Sequence, residues 1–295
     1  MKLNTMTSLL VKSVAALAVS TSMSFAGVSG KAPMAPPPPV EEPAALFDTV
    51  GASLEVGYMT RNYYRGLWFS DNSVYTDLSL AVPLTEQLTW NVGVFWLTSI
   101  DGGAGGNTFG APPAASFDYS EYDLYTSLDY DLGFGTLSVG YNHYFYPNSY
   151  SGQLNGVQPF GTDFGVKDAG ELQIVFGTSF VGFDWDIGYF YDFRIGGSYY
   201  ETNLSYEIPV TPWMSLVPAF QAGFGNDYYV GVPVAGVPSS GFTHIQFTLS
   251  APIALTPTTS LTPYISWVSS DRTRNFLNNT HNNEIFGGVS LSVSF

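Results

Sequence analysis

The chain of 295 residues contains no cysteine and little charge, since only 11% of its residues are Asp, Glu, Lys or Arg. The absence of cysteine excludes disulfide bonds and thiolate metal sites. The charged fraction is less than half of the roughly 25% that is usual for soluble domains, and it accompanies 22 Phe, 20 Tyr and 6 Trp. A soluble surface needs more charge for its solvation, so the composition indicates a second apolar surface.

Long apolar runs are also missing from the sequence. A transmembrane helix needs about 20 consecutive apolar residues, whereas no such run occurs here and the mean hydropathy is only +0.10. The 31 Gly and 19 Pro disfavour long helices, and the aromatic content excludes intrinsic disorder. These observations leave an all-β protein whose two surfaces face lipid or water.

Basic residues are scarce, and two of the nine lie before residue 26. Lys2 and Lys12 flank a start without acidic residues, an apolar stretch covers 14–19, and Ser24-Phe25-Ala26 provides a small-x-small cleavage site. This pattern predicts a signal peptide over residues 1–26. The remaining chain has a net charge of -17, because all 24 acidic residues lie after the cleavage site. Nucleic acid is therefore excluded as an expected partner.

Residues 27–50 are predicted to form a proline-rich spacer. The run KAPMAPPPPVEEP at 31–43 is too rich in proline for a strand ladder, and it favours an extended polyproline conformation. Such a segment spans roughly 40 Å, so we expect a tether instead of a domain. Binding of a partner by this segment stays open.

From residue 51 onward, apolar and polar residues alternate with period two, which is typical of strands with one apolar face. The pattern predicts twelve strands, at 52–65, 73–82, 88–100, 119–131, 136–146, 169–180, 183–194, 199–208, 214–225, 242–251, 261–270 and 284–295. Short connections alternate with longer ones at 66–72, 101–118, 147–168, 195–198, 226–241 and 271–283. This is the layout of an all-β, transmembrane, antiparallel up-and-down β-barrel over residues 51–295.

A soluble β-sandwich is the alternative fold, because its strands also alternate. Its polar face would carry many Lys and Glu, whereas here that face holds Ser, Thr, Gly, Asn, Tyr and acidic residues. Large aromatic residues lie near strand ends on the apolar face, as they do at membrane interfaces. They are Trp90, Trp96, Trp185, Tyr189 and Trp267. The barrel is therefore the favoured fold.

The last predicted strand ends at Phe295 after alternating apolar residues and serines. This ending resembles the C-terminal signature of bacterial outer-membrane proteins. The resemblance implies that Phe295 is an assembly signal for the barrel-assembly machinery.

Residues 54–80, LEVGYMTRNYYRGLWFSDNSVYTDLSL, contain a strand with Arg-Gly, a short Ser-Asp segment and a second amphipathic strand. This order is similar to the opening of the TorF family of porin-like proteins. The matching residues are Tyr58, Arg61, Tyr64, Arg65, Gly66, Ser70 and Asp71. The motif covers under a tenth of the chain, and the signal peptide, length and terminal strand agree with it. The resemblance implies an outer-membrane, pore-like protein.

The parity of the strand residues separates a lipid face from a lumen face. Essentially all charges inside the predicted strands fall on the parity opposite to the aliphatic residues, as expected if a charge facing lipid costs about 2 to 4 kcal/mol. We therefore predict these pore-lining residues: Glu55, Arg61, Arg65, Asp77, Glu121, Asp123, Asp129, Asp131, Glu171, Asp184, Asp186, Asp192, Arg194, Glu201, Glu207, His244 and Glu284.

The predicted lumen is acidic, and toward the periplasm its strands have no basic residue. Rings of Asp and Glu favour cations, so we expect a cation-favouring pore, unless these acids only form a solvated rim. Twelve strands lie between the filled eight-stranded barrels and the open pores of 16 to 18 strands. A narrow pore and an occlusion by Arg, Tyr or an inward-folded loop therefore both stay open.

An enzyme is a third class, since some outer-membrane barrels are lipases or proteases. The candidate bases are His143, His244 and His281, and none lies in a His-x-Ser or His-Asp pairing. We expect no catalytic site, no cofactor and no metal site.

The expected function is a porin-like channel in the bacterial outer membrane for passive diffusion of small hydrophilic solutes. A non-conducting barrel whose extracellular loops bind a partner is the alternative.

Overall fold

The computed structural model describes residues 50–100, 119–147, 168–194, 196–228, 240–270 and 283–295. The signal peptide, the spacer, most of the long connections and His281 lie outside these ranges. The described residues form strands and turns, and no helix among them is long and apolar enough to cross a membrane. The strands are β1 Gly51–Tyr64, β2 Leu67–Pro83, β3 Leu88–Ser99, β4 Ser120–Asp131, β5 Thr136–Phe145, β6 Asp168–Phe180, β7 Phe183–Asp192, β8 Gly197–Tyr206, β9 Ile208–Thr211, β10 Met214–Asn226, β11 Ser240–Ser250, β12 Ile253–Thr256, β13 Thr259–Ser270 and β14 Asn283–Ser294.

The strands form one closed antiparallel barrel. Each strand pairs with its neighbour along the chain, and β1 pairs with β14, with Ser53 opposite Ser294 and Met59 opposite Gly288. The short β9 continues β8 after Glu207, and β12 continues β11 after residues 251–252, so the fourteen segments make twelve barrel strands. The prediction of a twelve-stranded up-and-down barrel is confirmed. Closure leaves no unpaired sheet edge.

The two ends of the barrel differ in the length of their connections. At one end, called the turn end, the connections are short and include 84–87, 132–135 and 181–182. At the other end, called the loop end, the connections between β3 and β4, β5 and β6, β10 and β11, and β13 and β14 are long. The predicted alternation of short and long connections is therefore present, with two exceptions at the loop end: the β1–β2 hairpin and the four-residue connection 193–196 between β7 and β8.

The exterior of the barrel carries an aliphatic band between two belts of exposed aromatic residues. The turn-end belt contains Trp90, Tyr130, Phe134, Phe180, Phe183, Tyr206 and Trp213, and the loop-end belt contains Tyr122, Tyr141, Phe193, Tyr200, Phe224 and Phe242. On β4 the belts are eight residues apart, about 26 Å along a strand or roughly 20 Å along the axis of a tilted barrel. These dimensions match the hydrocarbon layer of an outer membrane.

The β1–β2 hairpin differs from its prediction. The segment 66–72 was expected to be a loop, because Ser, Asp and Asn cluster there, but β2 begins at Leu67. The connection is a two-residue turn in which Arg65 has φ 52° and Gly66 has φ 81°. Positive φ at both central residues is typical of a type I′ hairpin. The register shifts between Asn62 and Tyr63, and such irregularities bend a hairpin.

The lipid-facing band predicts the effect of a charge on the exterior. Val139 is 45% exposed and lies between Leu128 and Ile174 of the neighbouring strands. We expect Val139→Arg to lower the free energy of unfolding in lipid vesicles by about 2 to 4 kcal/mol, the cost of a cation near the bilayer midplane. The measurement is urea unfolding followed by tryptophan fluorescence. The control Val139→Leu should change it little, and equal effects of the two variants would contradict a lipid-facing position.

Candidate functional site in the barrel lumen

The inward face of the barrel divides into two halves of different character. Toward the turn end the inward side chains are mostly polar. Some are half-buried, such as Ser53, Ser79 and Ser292, and others are buried, such as Ser138 and Ser205. Toward the loop end they are packed, with Glu171, Asp123, Tyr199 and Val268 at 0% exposure and His244 at 1%. The turn-end half of the lumen is therefore polar and partly accessible, whereas the loop-end half is packed with side chains.

The turn-end half contains six of the predicted pore-lining acids. They are Glu55, Asp77, Asp129, Asp184, Asp186 and Glu207. Asp129 accepts hydrogen bonds from Asn91 at 2.7 Å and from Ser138 at 2.6 Å. Asp186 accepts one from Asn203 at 2.8 Å, and Ser179 donates to Asp184.

The donors to these acids are neutral throughout the described residues. Ser215 donates to Glu207 at 2.6 Å, Tyr75 to Glu55 at 2.7 Å, and Tyr125 to Asp77 at 2.6 Å. Every ion pair among the described residues involves Arg61 or Arg65, which lie toward the loop end. The turn-end half is therefore an acidic vestibule whose negative charge is not neutralised by a nearby Arg.

Tyr75 and Tyr125 reach their acids by lying across glycines of the neighbouring strands. Gly57 faces Tyr75, and Gly93 faces Tyr125. A Cβ added at Gly93 would lie 2.3 Å from the Tyr125 ring and 2.8 Å from the Leu78 carbonyl oxygen. Glycine at these positions allows the phenol rings to lie flat against the wall, so they occupy less of the lumen.

The loop-end half is packed in part by an apolar cluster on the side of β1–β4, β13 and β14. The cluster contains Met59, Tyr63, Trp68, Tyr75, Phe95, Leu97, Tyr125, Tyr264, Val268 and Phe286. Tyr63 stacks on Phe286 with ring centroids 5.0 Å apart. This packing couples the hairpin strands to the strand that closes the barrel.

Arg61 lies at the edge of this cluster and joins β1 to the closing strand. Its guanidinium is 2.5 Å from Glu284 and 3.4 Å from Asp71. The ion pair with Glu284 therefore links the first strand to the last. Both side chains are partly exposed, so the pair contributes about 1 kcal/mol or less to stability.

Arg65 extends from the tip of the β1–β2 hairpin into the centre of the loop-end lumen, where it is 4% exposed. Its Nη1 and Nη2 donate to the two carboxylate oxygens of Glu171 at 2.5 and 2.9 Å, and Nη1 also donates to the Tyr228 hydroxyl. Glu171 further accepts from Tyr144 and Gln173, both at 3.2 Å. A bidentate pair with these additional donors satisfies both buried charges.

Four aromatic rings surround the guanidinium, with centroids 4.4 to 5.1 Å from Cζ. They belong to Tyr64, Phe190, Tyr199 and Tyr228. Together with the Glu171 carboxylate they form an enclosure that we call the arginine cage. Cation–π contacts of this kind are strongest when the cation is desolvated.

The arginine cage spans the barrel. Following the closed order of strands, β7 lies opposite β1. Apart from Tyr64 of β1, the cage residues come from β6, β7, β8 and the residues after β10. On the same tip, the Gly66 carbonyl accepts a hydrogen bond from Ser270 of β13, and a Cβ at Gly66 would lie 2.6 Å from that of His244. The hairpin tip therefore reaches across the lumen at the level of Arg65.

The remaining predicted loop-end residues lie around the hairpin tip. Glu121, Asp192 and Glu201 are buried, and Glu201 accepts hydrogen bonds from Tyr199 at 3.0 Å and from Asn203 at 3.1 Å. The two carboxylate oxygens of Asp123 have no hydrogen-bond partner among the described residues, and the same holds for the side-chain amide of Asn142.

Two predicted pore-lining residues are exposed at strand ends, one as the last residue of β4 and one in the connection after β7. Asp131 is exposed at the turn end, where it accepts a hydrogen bond from the backbone N–H of Gly133. Arg194 is exposed in the connection after β7. Residues near strand ends are the ones for which parity is a poor guide, since the backbone there leaves the ladder.

The histidines have ordinary partners in the described part of the chain. His244 faces inward and contacts Gln221 and Thr243, both at 3.1 Å. His143 lies on the outer face, 3.0 Å from the Tyr141 hydroxyl. Neither contacts a serine or a carboxylate in these interactions, and no group of three His, Asp or Glu among the described residues has metal-binding geometry.

Sequence reasoning identified Arg65 and Glu171 as inward-facing but missed their contact and the rings around them. Phe190 and Tyr199 read as ordinary strand aromatics, and Tyr228 lies in a connection. The Gly that follows Arg65 was the available signal for a tight hairpin.

A closed barrel with a lipid-matched exterior and a polar interior is the fold of outer-membrane β-barrel proteins. A solved outer-membrane channel from Pseudomonas putida F1 is similar in structure, with 13% identity, a TM-score of 0.51, and coverage of 88% of this chain and 100% of that one. The KdgM porin is similar at 8% identity and a TM-score of 0.45, with 82% and 99% covered, and the NanC porin at 13% and 0.44, with 82% and 98% covered. No protein-family model matches the sequence, and no curated protein matches it significantly.

The arginine cage predicts a difference between two ion pairs of this barrel. We expect Glu171→Gln to lower the free energy of unfolding by about 3 to 5 kcal/mol, because it leaves the Arg65 charge buried without its carboxylate. The matched control is Glu284→Gln, which removes the partly exposed partner of Arg61 and should cost about 1 kcal/mol or less. Urea unfolding in detergent measures both. Equal losses would contradict the assignment of a buried ion pair at the centre of the lumen.

Proposed function

We propose that this protein is an outer-membrane channel for the passive diffusion of small hydrophilic solutes and that it favours cations over anions. The observation that carries the proposal is the acidic vestibule: six half-buried carboxylates bonded only by neutral donors among the described residues. Acidic groups that line a hydrated passage attract cations and repel anions.

In this proposal the turn end faces the periplasm and the loop end faces the outside, as in other outer-membrane barrels. Export depends on the predicted signal peptide at 1–26, with the spacer at 27–50 as a tether. Phe295 is the proposed signal for the barrel-assembly machinery, and its side chain is 75% exposed after the end of β14. The relation to the TorF family stays a prediction from residues 54–80, and so does the absence of an enzymatic activity.

In this proposal the hairpin tip obstructs the channel, and Arg65 holds the tip in place as a latch. Opening requires that the Arg65 side chain leaves the arginine cage and that the tip moves from the centre of the lumen. The alternative function, a non-conducting barrel that binds a partner through its loops, is favoured by the same packed loop-end half. A conductance measurement distinguishes the channel from the non-conducting barrel.

The latch predicts that a variant at Arg65 raises conductance. Arg65→Asn removes the guanidinium and creates an Asn-Gly turn, which suits a type I′ hairpin, so the strands are retained. We expect a several-fold larger mean conductance in planar bilayers and faster swelling of liposomes in small sugars. The control is Arg194→Asn, which removes the same charge at the same end but outside the lumen. If the wild-type protein and Arg65→Asn both fail to conduct, the channel is contradicted and the non-conducting alternative is supported.

The acidic vestibule predicts ion selectivity. In a salt gradient, the reversal potential of Arg65→Asn channels should have the sign of cation preference. The further double change Asp129→Asn and Asp186→Asn should move it toward zero, because two carboxylates are removed from the vestibule. Glu86→Gln, which removes an exposed charge in a turn at the same end, is the matched control. An anion preference, or equal effects of the two charge removals, would contradict the proposed role of the vestibule.

A further inference from the structure

The arginine cage has the composition of a receptor for a planar cation. A carboxylate receives two parallel N–H donors at 2.5 and 2.9 Å, and a phenol hydroxyl accepts a further bond. Aromatic rings lie within 5.1 Å of the guanidinium carbon. A fork of two donors together with aromatic faces is the recognition pattern of guanidinium and not of an ammonium ion, which is a compact point charge.

Most of the walls of the cage come from a different part of the barrel than its occupant. Glu171, Phe190, Tyr199 and Tyr228 belong to β6, β7, β8 and the segment after β10, while the guanidinium is delivered by the β1–β2 hairpin. Tyr144 and Gln173 hold the Glu171 carboxylate independently of Arg65. Tyr64, the residue before Arg65, is the one cage residue that belongs to the hairpin, so a guanidinium from another source would meet the other four cage residues after the tip moves away.

The tip residue is an arginine at a backbone position that disfavours it. Arg65 has φ 52°, a left-handed conformation that few residues other than Gly, Asn and Asp adopt readily. Asn or Gly would suit this place in a type I′ turn better. Strain of this kind persists where the surrounding structure compensates for it, and here the compensation is the fit of the side chain to the cage.

More acidic side chains lie around the cage than one arginine can pair with. Besides Glu171, the buried Glu201 and Asp192 lie on the adjoining β8 and β7. Burial raises the pKa of the Tyr228 phenol above its usual range, so this hydroxyl stays protonated beside the guanidinium. The cage therefore offers a neutral hydroxyl acceptor beside Glu171 and has further acidic side chains around it.

We propose that the arginine cage is a binding site for guanidino solutes and that Arg65 occupies it as a tethered occupant in the closed state. A solute with a free guanidinium group competes with Arg65 for Glu171 and the aromatic rings, and its binding holds the hairpin tip away from the centre. The role of this site in transport rests on the proposed channel function. Binding to the cage can be tested without any measurement of conduction.

The binding test uses the full barrel of the Arg65→Asn variant, purified in detergent. The probes are methylguanidinium and methylammonium at millimolar concentration. Isothermal titration calorimetry should give about tenfold tighter binding of methylguanidinium, the equivalent of one charge-assisted hydrogen bond. The wild-type barrel should need a higher concentration, because its tethered Arg65 competes at a high effective concentration. The double variant Arg65→Asn, Glu171→Gln should lose the preference for methylguanidinium.

Three outcomes would overturn the proposal. They are equal binding of the two probes by Arg65→Asn, equal binding of methylguanidinium by wild type and variant, and a preference that survives Glu171→Gln. If Arg65→Asn does not yield a folded barrel by circular dichroism, Arg65→Gly, which also suits the turn, replaces it in the same measurements.

A conductance measurement separates the failure of this inference from the failure of the proposed function. In open Arg65→Asn channels, methylguanidinium should reduce the current several-fold more than methylammonium does at the same concentration, and equal reductions would contradict the site. A barrel that binds methylguanidinium selectively but carries no current would support the cage and contradict the channel. A barrel that conducts but does not distinguish the probes would contradict the cage alone.

Discussion

The structure depends on the antiparallel pairing of β1 with β14, which closes the sheet. In a membrane, every backbone N–H and C=O must be satisfied within the protein, and only a closed sheet of strands achieves this. The pairing from Ser53–Ser294 to Met59–Gly288 removes the last free edges. It also brings Arg61 to Glu284 and Tyr63 to Phe286, so side-chain contacts add to the backbone pairing of the first and last strands.

Closure also creates an interior in which two kinds of polar chemistry coexist. Toward the turn end, carboxylates bond to neutral donors and remain partly exposed, so their charge acts on whatever enters. Toward the loop end, the Arg65 and Glu171 charges are desolvated and neutralise each other through two short hydrogen bonds. An ion pair of this kind repays its desolvation only when the geometry is good and other donors complete it. The bidentate geometry that stabilises the cage therefore also makes it selective for a planar cation with two parallel N–H donors.

Much of the architecture could be predicted from residue patterns. Period-two alternation located the twelve strands, and it separated Val139 from Ser138 and Leu128 from Asp129 because lipid and lumen select opposite residue types. The prediction was wrong at 66–72, where a polar cluster was interpreted as a loop. Those side chains bond within the barrel instead, as Ser70 does to Ser73 at 2.7 Å. Local polarity indicates access to a polar partner, and that partner can be protein as well as water.

The sequence by itself determined the barrel, its strand number, its two faces and the acidic character of the interior, because these follow from short-range periodicity and composition. Only the tertiary structure decided what fills the lumen. Arg65 and Glu171 are 106 residues apart, and Arg65 and Tyr228 are 163 apart. No local sequence pattern indicates which residues so far apart in the chain meet across the barrel. Their contact arises because closure sets β6 to β8 opposite β1 and a two-residue turn aims one guanidinium at them.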